Sequence, residues 1–312
     1  MLNKTTQVYG LASRFGKTIP NYHDNAIATM TNVLKQALKV LYRSWIVTPI
    51  RASLQSAIYF NAYYRRRIVS IVSTSFRRPN ELSNFTYDLT PRNQTELVHV
   101  IAVVTGRPVR EIRAYVQEVR NDIDLHSALY DGLRRRGYDS DVIDNPFGRR
   151  IGWYAFVRAL KPAVVVETGV DRGHGSLILC AALLRNAEER RPGYYYGTDI
   201  NPDAGWLLCG KYAEVGKVLY GDSIESMKGL NEKVDLFIND SDHSADYEFR
   251  EYETIGPRLG ANAVILGDNS HTNDKLARYS EQNGRHYLFF KEEPLAHWYP
   301  GAGIGISFLR KS

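Results

Sequence analysis

Acidic residues are nearly missing from the first quarter of this 312-residue chain: residues 1–80 hold twelve Lys/Arg and one acid, Asp24. That segment carries a net +11, so with +6 overall the other 232 residues carry −5. The chain is a basic head on a mildly acidic body. Cysteine is scarce too. Cys180 and Cys209, both in apolar stretches read as helical, are too few for a disulfide framework. Buried free thiols in a reducing, cytoplasmic compartment are expected. No run of about 18 apolar residues exists. The best candidate, Ser44–Phe60, is broken by Pro49 and Arg51. The first 20 residues lack the apolar core of a secretory leader. These absences predict a soluble protein, at most peripheral to a membrane. A composition 44% apolar and 24% charged excludes a wholly disordered or fibrous chain. Internal repeats and low-complexity tracts are absent.

What is present changes along the chain. Residues 1–27 read as a flexible arm. Residues 28–74 read as a basic amphipathic helical segment: Met30, Val33, Leu34, Ala37, Leu38, Leu41 and Trp45 recur at helical spacing, with Lys35, Lys39 and Arg43 opposite. Pro49 ends or kinks that helix. This face fits packing on the body or a sister subunit, giving a homo-oligomer, or an anionic membrane surface met by residues 30–74. It carries no base-reading or stacking motif, which argues against nucleic acid. Residues 75–146, with a linker over 75–93 and helices over 94–104, 109–121 and 126–136, read as a substrate cap or oligomerisation region. A further helix covers 147–160.

From Pro162 the pattern switches to short β-branched runs at 163–167, 194–199, 218–220, 234–239, 263–267, 287–291 and 304–309. Helix-sized stretches separate the first five, which predicts an α/β fold with a doubly wound, mostly parallel sheet. The last two are expected to pair antiparallel at the sheet edge. The domain is placed at 147–312.

Chemistry concentrates at the predicted carboxyl ends of the strands, where open α/β sheets bind ligands. The first strand runs into Glu167-Thr168-Gly169-Val170-Asp171-Arg172-Gly173-His174-Gly175-Ser176 and then a helix. Glycines there admit a ligand close to the backbone and the helix N-terminus. The spacing is neither a dinucleotide fingerprint nor a P-loop. Asp199 ends the second strand, where it can accept from two ribose hydroxyls or cap a helix. Asp222-Ser223 follows the third, within reach of an adenine amine or again as a cap. Asp240-Ser241-Asp242-His243 follows the fourth and Asp268-Asn269 the fifth. Asp240, Asp268 and Asn269 make a hard oxygen set suited to Mg²⁺, unless they are two independent caps. His174, Trp206, His271, His297 and Trp298 carry less weight. Trp298-Tyr299-Pro300-Gly301 suits either a pocket wall or packing.

On the ordered set Glu167-x-Gly169, Asp199, Asp222, Asp240-x-x-His243 and Asp268-Asn269, residues 147–312 resemble the class I S-adenosylmethionine-dependent methyltransferases. Among these, they are similar to the metal-dependent O-methyltransferases of catechol, caffeoyl-CoA and macrolide-sugar type. The resemblance implies that Glu167, Gly169 and Gly173, with Ser176 in the same loop, surround the methionine part of the cofactor. It implies Asp199 at the ribose, Asp222 and Ser223 near the adenine, and Asp240, Asp268 and Asn269 on a divalent ion. Where catechol-type relatives carry a lysine base, this chain has His243, as the sugar enzymes do. That favours an aliphatic alcohol, such as a sugar hydroxyl on a small molecule or glycan. His243 would take the proton of the metal-bound hydroxyl, with Asp242 as alternative base or as the group orienting His243. The alternatives are methyl transfer to a small molecule without metal, and a non-catalytic cofactor-binding or membrane-docking subunit.

Overall fold

The computed structural model describes residues 32–43, 48–65, 68–69, 72–73, 87–138, 147–242, 244–268, 270–295, 297 and 299–309. The arm at 1–27, His243, Asn269 and Trp298 lie outside them. The chain divides into two units, 1–69 and 70–312.

In the first unit, α1 spans Asn32–Arg43 and α2 spans Thr48–Tyr59, continued by a π-helical turn over Phe60–Arg65. Pro49 falls in the first turn of α2, where its missing N–H has no helical partner to lose. It therefore begins the second helix. No side chain of α2 is buried. No helix among the described residues is long and apolar enough to cross a membrane.

The second unit opens with three helices: α3 (Pro91–Thr105), α4 (Val109–Arg120) and α5 (Ile123–Arg135). The Thr90 hydroxyl accepts from Asn93 N–H at 3.2 Å, and Pro91 occupies the first turn. So α3 starts three residues before the apolar periodicity does. Asp122 likewise caps α5 by accepting from Leu125 N–H at 3.0 Å. After a 3₁₀ turn at Gly148–Arg150 comes α6 (Ile151–Leu160), buried from Ile151 through Ala159.

The sheet then builds as β1 (Val164–Thr168), α7 (His174–Glu188), β2 (Tyr194–Asp199), β3 (Gly216–Tyr220), α8 (Ser223–Lys228), β4 (Val234–Asn239), α9 (Ala245–Ile255), β5 (Leu259–Gly267), α10 (Lys275–Gln282), β6 (His286–Lys291) and β7 (Gly303–Phe308). Its order is β3-β2-β1-β4-β5-β7-β6. Strands β1 to β5 run parallel, and β7 is antiparallel to both β5 and β6. The expected mostly parallel α/β sheet with an antiparallel edge is observed.

The unalternating apolar runs have a plain cause: both faces are covered. Val165, Leu236, Ile238, Val264 and Leu266 point into a core shared with α3 to α7. Val164, Val166, Phe237 and Ile265 point into a second core with residues of α8, α9 and α10. The helices over 91–135 therefore share one apolar core with the sheet. They are also stitched to the β6–β7 connection. Thr90 N–H donates to Glu293 O at 2.9 Å, Leu295 N–H to Asp88 O at 2.7 Å, and Asn93 Nδ2 to Lys291 O at 2.9 Å. Both cysteines are free. Cys180 is buried in α7 as expected, but Cys209 is only half-buried and lies in a non-helical stretch. Its Sγ accepts from Arg135 Nη2 at 3.4 Å. The apolar residues around it pack from turns, not from a helix.

Arg158 on α6 ties the helical layer together. Its Nε and Nη2 donate to Glu118 of α4 at 2.6 and 3.2 Å, and Nη2 also reaches Glu189 at 2.5 Å. Nη1 donates to the Asn186 side chain. Truncating a buried guanidinium strands these partners. Arg158→Ala is expected to lower stability by about 3 kcal/mol, read from the urea midpoint. Arg158→Lys should recover little, having no fork to span two carboxylates.

Candidate active site

Chain order makes the site. After β3 the chain returns to the other side of β1, so the connections leaving the carboxyl ends of β1 and β4 run to opposite sides and leave a crevice there. A cavity of about 990 Å³ fills it. Glu167, Gly169, Asp199, Asp222, Ser223, Asp240, Asp242 and Asp268 all line it. Of the predicted site residues described, Gly173 and Ser176 do not.

Gly169 is the hinge of the crevice. It has φ 81°, and a Cβ there would overlap the Asp240 carbonyl, so only glycine lets the ends of β1 and β4 come this close. Gly173, at φ 94°, begins α7 with its missing side chain against Gly205. Its role is packing of the turn. Ser176 lies one layer below the cavity. Its hydroxyl donates to Glu167 at 3.3 Å and hydrogen-bonds Tyr195 Oη at 2.7 Å. Tyr195 Oη in turn donates to Glu167. Ser176 thus positions Glu167 and does not face a ligand.

Glu167 is buried, and burial pushes its carboxyl up to about 7, although Tyr195, the Arg150 charge and Ser176 act the other way. His174 is held neutral, down to about 3, by burial and by Arg150 and Arg172. Asp199 accepts from Asp171 N–H and Asn201 N–H, each at 2.8 Å, one on each oxygen. The second lone pair of each oxygen is left for a ligand. Asp222 does cap α8, accepting from Glu225 N–H at 3.1 Å, and takes a further bond from Tyr247 Oη at 3.2 Å. Ser223 donates to Glu251. Glu251, which no motif signalled, is a buried hub. It also accepts from Asn239, from Ser241 at 2.6 Å and from Thr168 at 3.3 Å, locking the β1, β4 and α8 ends to α9.

The cavity is also lined by Asp240 and Asp268. Both oxygens of Asp268 are taken by the Arg149 guanidinium, Nη2 at 2.7 Å and Nη1 closer still. Arg149 Nη1 also lies 3.6 Å from Glu292, which is fully buried and accepts from Tyr87 Oη. Arg150 Nη2 is 4.0 Å from Asp240. Burial and the Asp268 charge push Asp240 well above the usual carboxylate range. For Asp268 the raising effect of burial is outweighed by the Arg149 charge and its hydrogen bonds, which hold it low. This donor set does not fit a bound divalent ion. One predicted ligand is committed to a guanidinium, the other faces a second one, and no group of three His, Cys, Asp or Glu among the described residues has the geometry of a metal site. Asn269, the third predicted ligand, and His243, the predicted base, lie outside the described residues. Asp242 is exposed and accepts from Ser244 N–H at 2.9 Å.

Sequence reasoning missed Arg149, Arg150, Tyr87 and Tyr247. It undervalued His174, His271 and Tyr299, which line the cavity. The pair Arg149-Arg150, directly before a helix that is apolar but for Arg158, was the one available signal.

Residues 166–270 match the family model described as a methyltransferase domain. Among solved structures, the chain is similar to the O-methyltransferase TomG from Streptomyces achromogenes, involved in tomaymycin synthesis. The identity is 15%, covering 61% of this chain and 91% of that one, with TM-score 0.46. An O-methyltransferase from Bacillus cereus matches at 14% identity, 63% and 97% coverage and TM-score 0.43. A caffeoyl-CoA O-methyltransferase-like structure from Staphylococcus aureus matches at 12%, 65% and 100%, and 0.44. No curated protein matches.

The raised Glu167 carboxyl has a stability consequence. Between about 4.5 and 7 the folded protein keeps a proton that the unfolded chain has released, so stability falls as pH rises through that window. Glu167→Gln removes the effect. The stability of Glu167→Gln relative to wild type should therefore climb by about 2–3 kcal/mol from pH 5 to pH 8. Parallel urea profiles for the two proteins would refute a protonated Glu167.

Proposed function

We propose that the chain is a class I S-adenosylmethionine-dependent methyltransferase that transfers the methyl group to a hydroxyl oxygen of a sugar or a glycosylated small molecule. One observation carries this reading. A single cavity is lined both by the carboxylates Glu167, Asp199 and Asp222, which suit a nucleoside-bearing cofactor, and by Arg149, Asp268, His271, Thr272 and Tyr299, which suit a hydroxylated acceptor.

The free lone pairs of Asp199 suit the ribose hydroxyls, Asp222 would take the adenine amine, and Glu167 would take the methionine part. Glu167, pushed up to about 7, keeps part of its proton at neutral pH, and a bound ammonium would draw it off. The cofactor, when bound, supplies an activated methyl on a sulfonium. The rest is alignment by the chain.

At the acceptor end, Arg149, His271, Thr272 and Tyr299 line the cavity with polar groups. The Tyr87 and Tyr299 rings, tilted 39° at 5.9 Å, add a face on which a sugar ring can lie. Such a wall matches a polyhydroxylated acceptor better than a flat catechol. Its hydroxyl proton goes to His243, three residues after Asp240, with Asp242 as orienting group or substitute base. The acceptor oxygen then attacks the methyl in line with the departing sulfur.

The test is transfer of labelled methyl from S-adenosylmethionine to a panel of glycosides and catechols. Glycosides should be methylated. Asp199→Ala should weaken S-adenosylhomocysteine binding at least about tenfold, and His243→Ala should cost about 10²-fold in kcat with cofactor binding unchanged. Methylation confined to catechols would overturn the acceptor class. An unchanged rate in His243→Ala would remove it as base.

A further inference from the structure

We propose that Arg149 replaces a divalent ion: its guanidinium, fixed on Asp268, is the resident cation of the acceptor end, and methyl transfer proceeds without metal. The inference rests on the methyltransferase reading above and deepens it.

Four observations carry it. The Arg149–Asp268 contact is a fork on both carboxylate oxygens, the geometry that saturates a carboxylate toward one partner. The pair is buried, Arg149 at 11% and Asp268 at 4% side-chain exposure, so it is not a surface accident. Glu292, fully buried beneath, has Arg149 as a cationic neighbour at 3.6 Å. Taking Arg149 away to admit a metal would leave that carboxylate buried without it. Finally, Arg149 lines the cavity, and its Nε has no hydrogen-bond partner among the described residues.

A guanidinium keeps its charge at any working pH and directs donors at fixed angles. It can therefore do what an ion does for an acceptor hydroxyl: hold it, and stabilise the charge that gathers on oxygen. As the O–CH₃ bond forms, the S–CH₃ bond breaks with its electron pair passing to sulfur, and the hydroxyl proton passes to His243. No further reactant enters.

Mn²⁺ binding to the full chain, followed by electron paramagnetic resonance in the presence of saturating S-adenosylhomocysteine, tests this. Calorimetry of the S-adenosylhomocysteine complex in the same samples reports separately on the cofactor reading. Wild type should leave the free Mn²⁺ signal undiminished, and its methyl transfer should be equal with and without EDTA. Arg149→Ala should bind Mn²⁺ at least about tenfold more tightly, the freed carboxylates becoming ligands. Stoichiometric Mn²⁺ binding by wild type would overturn the proposal, whatever the variant does. So would a folded Arg149→Ala that gains no Mn²⁺ affinity.

A different observation concerns the first unit. We infer that residues 32–65 dock on an anionic lipid surface. Leu34, Leu38 and Leu41 stand exposed along α1, Ile50, Leu54 and Ile58 along α2, and Tyr59, Phe60, Tyr63 and Tyr64 beyond them. The rings pair as Tyr59–Tyr63 at 5.9 Å and Phe60–Tyr64 at 6.4 Å. Lys35, Lys39, Arg43, Arg51 and Arg65 lie among them, and no acid occurs between Asp24 and Glu81. Apolar and aromatic side chains with only basic partners complement an anionic bilayer. A second copy of the segment would meet it with like charge.

The full chain should co-sediment with phosphatidylcholine vesicles containing phosphatidylglycerol and not with phosphatidylcholine alone. High salt, or Leu54→Glu with Ile58→Glu, should release it. Failure to sediment with either vesicle overturns the inference. So does a dimer in sedimentation velocity that the double variant dissociates.

Discussion

Everything at the acceptor end hangs on one ion pair, the fork of Arg149 on Asp268. Three carboxyl groups, Asp240, Asp268 and Glu292, are gathered where little water reaches, and such a cluster is costly without a cation among them. Arg149 supplies the cation, and Arg150 adds a second positive group beside Asp240. The position of Arg149 is itself a consequence of packing. It sits on the 3₁₀ turn ahead of α6, and α6 is buried between α4 and α7. Tyr87, the hydrogen-bond donor to Glu292, is brought in by the segment joined to the β6–β7 connection. The segments flanking those helices, at Tyr87 and at Arg149–Arg150, are therefore part of the cavity wall.

The cavity wall at β1 and β4 depends on a different constraint, the close approach of the two strand ends that Gly169 permits. Below it, Glu251 collects hydrogen bonds from four side chains, so the loops bearing Asp222 and Asp240 are fixed relative to β1. Rigid positioning suits a reaction in which the cofactor carries the reactive group and alignment is the protein's main contribution.

How much of this was legible in the sequence follows from physical range. The strands, their parallel order and the acids at their carboxyl ends could be read because each is a local pattern plus one topological rule. Asp199, Asp222, Asp240 and Asp268 accordingly meet in one cavity. Gly173 and Ser176 stand in the same loop without lining the cavity, because sequence position does not say which side of a turn a residue faces. Arg149 was beyond reach because it meets Asp268 across 119 residues through tertiary packing alone. The capped start of α3 escaped because Thr90 acts through its side-chain hydroxyl on Asn93 N–H and Pro91 through its fixed φ, and not through apolar spacing. Cys209 was misread for the reverse reason: apolar neighbours imitated a helix where the chain turns. The expectations for His243 and Asn269 fall on residues outside those described.

The account is tested most directly by a crystal structure of the full chain grown with S-adenosylhomocysteine and Mn²⁺, using anomalous scattering at the manganese edge. The prediction is S-adenosylhomocysteine in the cavity with its ribose on Asp199, the Arg149–Asp268 fork intact, and no anomalous peak beside Asp268. A manganese peak bonded to Asp240 and Asp268, with Arg149 displaced, would contradict it.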